Sequence, residues 1–247
     1  MSMKKMKASA FLSVVALSMG SSLYAVDARA EWSANIGVFS QYVLRGITNN
    51  AEDDSVAIQG GVDYAAESGL YAGYWGSSLD YSSGAVDSNG DGFENDFYAG
   101  YAGSAGMLNY NLGLIYYAYL NVDDSDAFEV AGSLGVGPVT LGAKYLTKDV
   151  AWGNQGDTYW TLGYGTELPK GFKFNALLGY YTYEDSGKFI SSSTEDAGFR
   201  HLDLTLSHPI GETGADASIT YIVGGEDRNG VNQDDAIVFG VKYAFGF

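Results

Sequence analysis

Ala236-Ile237-Val238-Phe239-Gly240-Val241-Lys242-Tyr243-Ala244-Phe245-Gly246-Phe247 is the stretch on which the fold turns. Ile237, Phe239, Val241, Tyr243, Phe245 and Phe247 share one face of an extended chain, with Lys242 and mainly small residues on the other. A period of two is the pattern of a strand with one apolar face. Soluble sandwiches alternate as well, but their strands run about 5–6 residues. A tilted strand that crosses a bilayer needs about 9–11. This one is long enough to cross.

The same pattern recurs upstream. Twelve segments of this kind are expected, at about 33–46, 54–66, 69–80, 94–104, 107–120, 126–136, 138–149, 157–168, 172–184, 198–207, 214–224 and 235–247. In the first, Ala34, Ile36, Val38, Tyr42 and Leu44 oppose Asn35, Gly37, Gln41 and Arg45. In the third, Leu70/Ala72/Tyr74 and Tyr71/Trp75/Leu79 are both apolar, and parity alone does not orient it. Connections alternate between short (67–68, 104–106, Gly137-Pro138, 168–171, 208–213) and long (47–53, 81–93, 121–125, 150–156, 185–197, 225–234). Short turns at one end and long loops at the other are the arrangement of a bacterial outer-membrane barrel. The fold expected is all-β: a closed antiparallel transmembrane barrel of about 12 strands over 31–247, ten or fourteen being the neighbouring counts. An even count puts both termini at the short-turn, periplasmic end.

Composition agrees. The 247 residues include 34 glycines, 20 tyrosines and only three prolines, with no cysteine. That removes disulfides, thiolate metal sites and cysteine nucleophiles together. Acids outnumber bases 30 to 13, which argues against a nucleic-acid partner. Lys4, Lys5 and Lys7 precede the short apolar run Ala8–Met19, and Ala28-Arg29-Ala30 is a small-x-small cleavage pattern. Residues 1–30 thus read as a secretory signal peptide, with cleavage after Ala30, or alternatively after Ala28 or Ala25. Export then engages the general secretion and barrel-assembly machinery and leads to the outer membrane of a Gram-negative cell, with its lipid and lipopolysaccharide as neighbours. Oligomeric state is left open.

Charge sorts with position. Arg45, Asp63, Glu129, Lys144, Lys173, Asp203, Asp216 and Lys242 all fall on the face opposite the apolar stripe. They are the candidate pore-lining residues, free to pair across a narrow interior whose remainder serine, threonine and glycine fill. A lipid-facing charge would cost about 2–4 kcal/mol at the midplane. Tyr42, Tyr64, Tyr110, Tyr145, Tyr180, Trp160 and Tyr221 lie near strand ends on the apolar parity, as aromatic girdles do. The long loops and their rims carry 21 acids, Asp53, Glu94, Asp96 and Asp157 among them, against the bases Lys148, Lys188, Arg200 and Arg228.

Tyr243, Phe245 and Phe247 alternate to the last residue, an assembly signal of the kind outer-membrane barrels end on. Together with Asn35-Ile36-Gly37-Val38-Phe39-Ser40-Gln41-Tyr42-Val43-Leu44-Arg45-Gly46-Ile47-Thr48 and Phe97-Tyr98-Ala99-Gly100-Tyr101, this end resembles the proteobacterial family of TorF-type porins. The likeness runs over essentially the whole chain after residue 30. It implies an outer-membrane porin and supplies no catalytic residues.

Other chemistries are thin. His201 sits beside Asp203 and near Glu195 and Asp196, but no Gly-x-Ser-x-Gly nucleophile elbow accompanies it, and His208 precedes Pro209 in a turn. No catalytic residue is assigned and no enzyme is expected. Asp87-Ser88-Asn89-Gly90-Asp91-Gly92 has the D-x-N-x-D-G spacing of a calcium loop, with Asp87, Asn89 and Asp91 as ligands. Its twelfth position is Tyr98, not glutamate, so a solvated acidic loop is the favoured reading; no other cofactor is expected. The function expected is passive diffusion of small hydrophilic solutes or ions with modest cation preference. The alternative is a non-conducting barrel acting through its acidic loops, in adhesion, cation binding or envelope structure.

Overall fold

The computed structural model describes residues 31–81 and 92–247. The expected signal peptide (1–30) and the calcium-loop residues Asp87, Asn89 and Asp91 lie outside these. The strands are β1 (Glu31–Phe39), β2 (Ala57–Ala65), β3 (Leu70–Ser78), β4 (Phe93–Ala105), β5 (Leu108–Leu120) and β6 (Ala127–Val136), followed by β7 (Val139–Leu146), β8 (Thr158–Glu167), β9 (Lys173–Thr182), β10 (Ala197–Pro209), β11 (Ala215–Gly224) and β12 (Ala236–Gly246). Each pairs antiparallel with its neighbours in sequence, and β12 pairs with β1 to close a barrel. Closure pairs the backbone of the first and last strands and leaves no sheet edge.

Period-two alternation builds this shape. Ile36, Ile58, Leu112, Leu134, Leu141, Leu162, Ile219 and Phe239 stand exposed on the outer surface, forming an apolar belt. Trp32, Tyr64, Tyr101, Tyr110, Tyr243, Phe245 and Phe247 ring its short-turn end, with Trp32 tilted on Tyr64 at 4.9 Å. Tyr145, Trp160, Tyr180 and Tyr221 ring the long-loop end. Five of the connections are tight, and Gly106 (φ 65°) and Gly137 (φ 57°) supply the left-handed residue their hairpins require.

Two expectations need correction here. The first strand ends at Phe39, not at residue 46. Ser40 N–H donates to the Phe239 carbonyl at 2.8 Å, and beyond it the chain leaves the sheet and folds into the barrel. Tyr42 is therefore no girdle residue: it is fully buried inside, because the parity that pointed outward ended with the strand. The third strand is now oriented. Leu70, Ala72 and Tyr74 face out, while Tyr71, Trp75 and Leu79 are buried within.

Candidate functional site

The inward-folded β1–β2 segment, residues 40–56, organises the lumen at the long-loop end. Tyr42 and Asp53 exchange backbone hydrogen bonds of 2.7 and 3.2 Å, making the segment a narrow hairpin-like strap. At its turn, Arg45 and Gly46 are both left-handed, with φ of 48° and 75°. A Cβ on Gly46 would lie 2.4 Å from His201 Cβ and 2.9 Å from the Arg200 carbonyl, so only glycine lets the turn press against β10.

That corner aims Arg45 across the barrel. Its guanidinium donates to both Glu129 oxygens, at 2.8 and 2.7 Å, and to the Tyr181 (2.7 Å) and Tyr117 (3.1 Å) hydroxyls. It also lies over the Tyr159 and Trp152 rings, at 4.9 and 5.8 Å. The bidentate fork and stacked rings suit arginine's planar, weakly hydrated cation. Side-chain exposures of 7% and 1% make this a buried ion pair. Arg45 thus ties β1–β2 to β5, β6, β8 and β9.

β10 contributes through a bulge. The register against β9 shifts between Phe199 and His201, so the consecutive residues Arg200 and His201 are both buried. Arg200 Nε donates to the Arg45 carbonyl at 3.0 Å. His201 lies 2.6 Å from the Tyr159 hydroxyl on one ring nitrogen and 2.6 Å from Asp203 on the other. Tyr159 and His201 are buried beneath the Arg45–Gly46 corner, with Asp203 a quarter exposed, and this Tyr–His–Asp chain braces Tyr159 under the guanidinium.

The other wall is aromatic. Tyr42, Tyr71, Trp75, Tyr98, Ile115, Tyr117 and Tyr119 form a packed core inside the barrel. Serine, threonine and glycine do not fill this wall of the lumen as the sequence suggested; large side chains do. The loops above interlock. Arg228 pairs with Asp157 at 3.0 Å and reaches the Glu184 carbonyl, while Asn154 also donates to Glu184. Asn49 and Gln233 tie the strap to the β11–β12 loop, and Trp152 donates to the Ser125 carbonyl.

All eight expected lumen charges project inward, but in two groups. At the long-loop half, Arg45 binds Glu129, and Lys144 lies 3.5 Å from the Tyr117 hydroxyl. Asp203 is engaged by His201. Toward the short-turn half, Tyr98 donates to buried Asp63, Lys242 lies near Asp63 and Asp216, and Lys173 meets Asp216 at 3.4 Å. Lys173 and Asp216 stay over two-fifths exposed at the mouth of the short-turn end, while Asp63 and Tyr98 are buried deeper in. Thr205–Thr220 and Tyr71–Asn111 hydrogen bonds line it further.

Sequence reasoning missed Tyr42, Glu94, Asp96, Arg200, Asp157 and Arg228 as interior groups. Glu94 and Asp96 were placed among the loop-rim acids, yet they sit on β4 facing inward and buried. Asp53, Asp157, Arg200 and Arg228, also counted at the rim, are buried as well. The spacing of Glu94 and Asp96, two apart and in phase with Tyr98, was the available signal.

Solved structures of similar shape include outer-membrane channels. The KdgM porin aligns with a TM-score of 0.56 at 8% identity, over 86% of this chain and 99% of its own. The NanC porin gives 0.51 at 10% identity, over 86% and 98%. An outer-membrane channel from Pseudomonas putida F1 gives 0.53 at 11%, over 90% and 97%. At such identities the shared property is the barrel fold. No curated protein sequence matches the chain. One family profile does, across residues 25–245, and the chain belongs to that family, described as "Bacterial protein of unknown function (Gcw_chp)".

Proposed function

We propose that the protein is an outer-membrane channel for passive diffusion of small hydrophilic solutes or ions, with modest cation preference. The observation that carries this reading is a closed barrel with an apolar belt outside and paired charges inside. Under it, residues 1–30 direct export, the short turns face the periplasm, the long acidic loops face outward, and the TorF-type porin likeness applies to the whole chain. Arg45 and its strap form the constriction, and Lys173, Asp216, Asp63 and Lys242 line the periplasmic half.

Acids that remain at the outer rim would concentrate cations at low salt. The Debye length there is about 30 Å at 0.01 M and about 3 Å at 1 M, so the preference fades as salt rises. Reversal potentials in a KCl gradient test this. Cation preference at low salt that weakens toward 1 M is expected; anion selectivity would show that Arg45 and the lumen lysines dominate.

A second reading is supported by the packed strap and interlocked loops. In it the barrel does not conduct, and the acidic loop surface acts in adhesion, cation binding or envelope structure. Current across a bilayer separates the two.

A further inference from the structure

The long-loop half of the lumen encloses more negative charge than its ion pairs account for. Arg45 matches Glu129 and Arg228 matches Asp157. Asp53 accepts from Ser55 and Ser78, which leaves Glu94 and Asp96, two apart on the inward face of β4, with exposures of 0% and 3%. Tyr42 donates to Glu94 Oε2 at 2.9 Å. Glu94 Oε1 and Asp96 Oδ1 are fully enclosed and receive no hydrogen bond. The two carboxyls also lie within hydrogen-bonding reach of each other, where two bare anions would repel. Buried carboxylate oxygens are ordinarily satisfied by a donor or a cation.

A residue outside the acidic pair points to the same place. Gln59, on β2 and 4% exposed, has an amide nitrogen without a partner. Gln59 lies opposite Ser77, and Ser77 opposite Glu94, so the three form one cross-strand row. Rotation of an amide exchanges its oxygen and nitrogen, which makes Gln59 a source of a neutral oxygen for the row.

We propose that Glu94 and Asp96 bind one monovalent metal cation, sodium- or potassium-sized, with Gln59 completing the shell from the neighbouring strand. The number of ligands selects the valence. Lys144, buried nearby on β7, offsets part of the negative charge, to which Glu52 and Glu129 add beside the pair. Among the described residues no group of three or more histidines and acids is placed to cage a metal ion, so a divalent ion lacks the carboxylate set it needs. Enclosure excludes large organic cations. The site rests on the lumen geometry and on the channel reading only for how the ion arrives.

The test uses the purified full-length barrel in detergent, melted at equal ionic strength and pH in KCl, NaCl or N-methyl-D-glucamine chloride. The site predicts a melting temperature about 2–4 °C higher in the alkali salts. The difference vanishes in Glu94→Gln/Asp96→Asn and survives in Asp87→Ala/Asp91→Ala, which removes acids of the β3–β4 loop. If the double variant does not assemble, Asp96→Asn alone keeps the Tyr42–Glu94 bond and serves in its place. Identical melting in all three salts would overturn the proposal and leave a shared proton as the neutralising partner. A salt difference that persists in the lumen variants would overturn it too, by placing the ion on the outer loops. No current is measured, so a non-conducting barrel would sink the channel reading without touching this one.

Discussion

Glu129→Gln is the perturbation that bears most directly on the strap. Among the described residues Glu129 is the carboxylate within ion-pair distance of Arg45, and it accepts from both guanidinium nitrogens and from Tyr117. Glutamine keeps the shape but removes the charge and turns an amide donor toward groups that are themselves donors. Removing one partner of a buried pair costs about 3–5 kcal/mol, and exposures of 7% and 1% leave little solvent to soften it. At about 1.4 kcal/mol per tenfold, the equilibrium for releasing the strap shifts by roughly two to four decades. Hydrogen exchange reads this locally. The Tyr42 and Asp53 amides, bonded to each other's carbonyls inside the lumen, should lose that much protection. Amides of β5 and β6, held by the sheet ladder, should keep theirs. Unchanged exchange at Tyr42 and Asp53 would refute the idea that Arg45–Glu129 holds the strap in place.

Gly46→Ala forces a side chain into 2.4 Å contact with His201 at a left-handed residue, at a cost of about 1–3 kcal/mol. Faster tryptic cleavage after Arg45 is expected in the folded barrel. Burial, aided by the nearby Glu94 carboxylate, pushes the Glu52 carboxyl on the strap up to about 7. A carboxyl that holds its proton more tightly folded than unfolded stabilises fully below its unfolded value, about 4.3, and that contribution is lost as pH rises through 7. Melting temperature should therefore decline across this window, with a flatter profile in Glu52→Gln. Phe247 N–H bonds the Trp32 carbonyl at 3.0 Å and its ring stacks on Trp32, closing the β1–β12 seam. Deleting Phe247 should lower the abundance of assembled barrel in membrane fractions, and normal abundance would reduce the C-terminal alternation to strand chemistry.

Strand positions were legible because an apolar outer surface and a closed sheet impose the same alternation on every strand. From β4 to β12 the expected and observed boundaries differ by at most three residues. The strap was not legible, since Tyr42 and Leu44 continue the parity of β1 after hydrogen bonding to β12 has ended at Ser40. Glu94 and Asp96 looked like rim acids because they open the expected strand beside a long acidic loop, although their parity matches that of inward-facing Tyr98. The interior of β3 was ambiguous for a different reason. A lumen packed with Tyr71, Trp75 and Tyr98 has the same side-chain chemistry as the apolar outer surface, and composition cannot tell them apart. Arg200 and His201 share the interior only through a bulge, which breaks the period on which every other assignment rests.

Single-channel recording of the purified, folded protein in a planar bilayer tests the central claim most directly. The account predicts discrete current steps carried preferentially by cations at low salt, with larger steps in Glu129→Gln as the strap leaves the lumen. A bilayer that stays silent for both wild type and Glu129→Gln would contradict it and favour a barrel that acts through its outer loops.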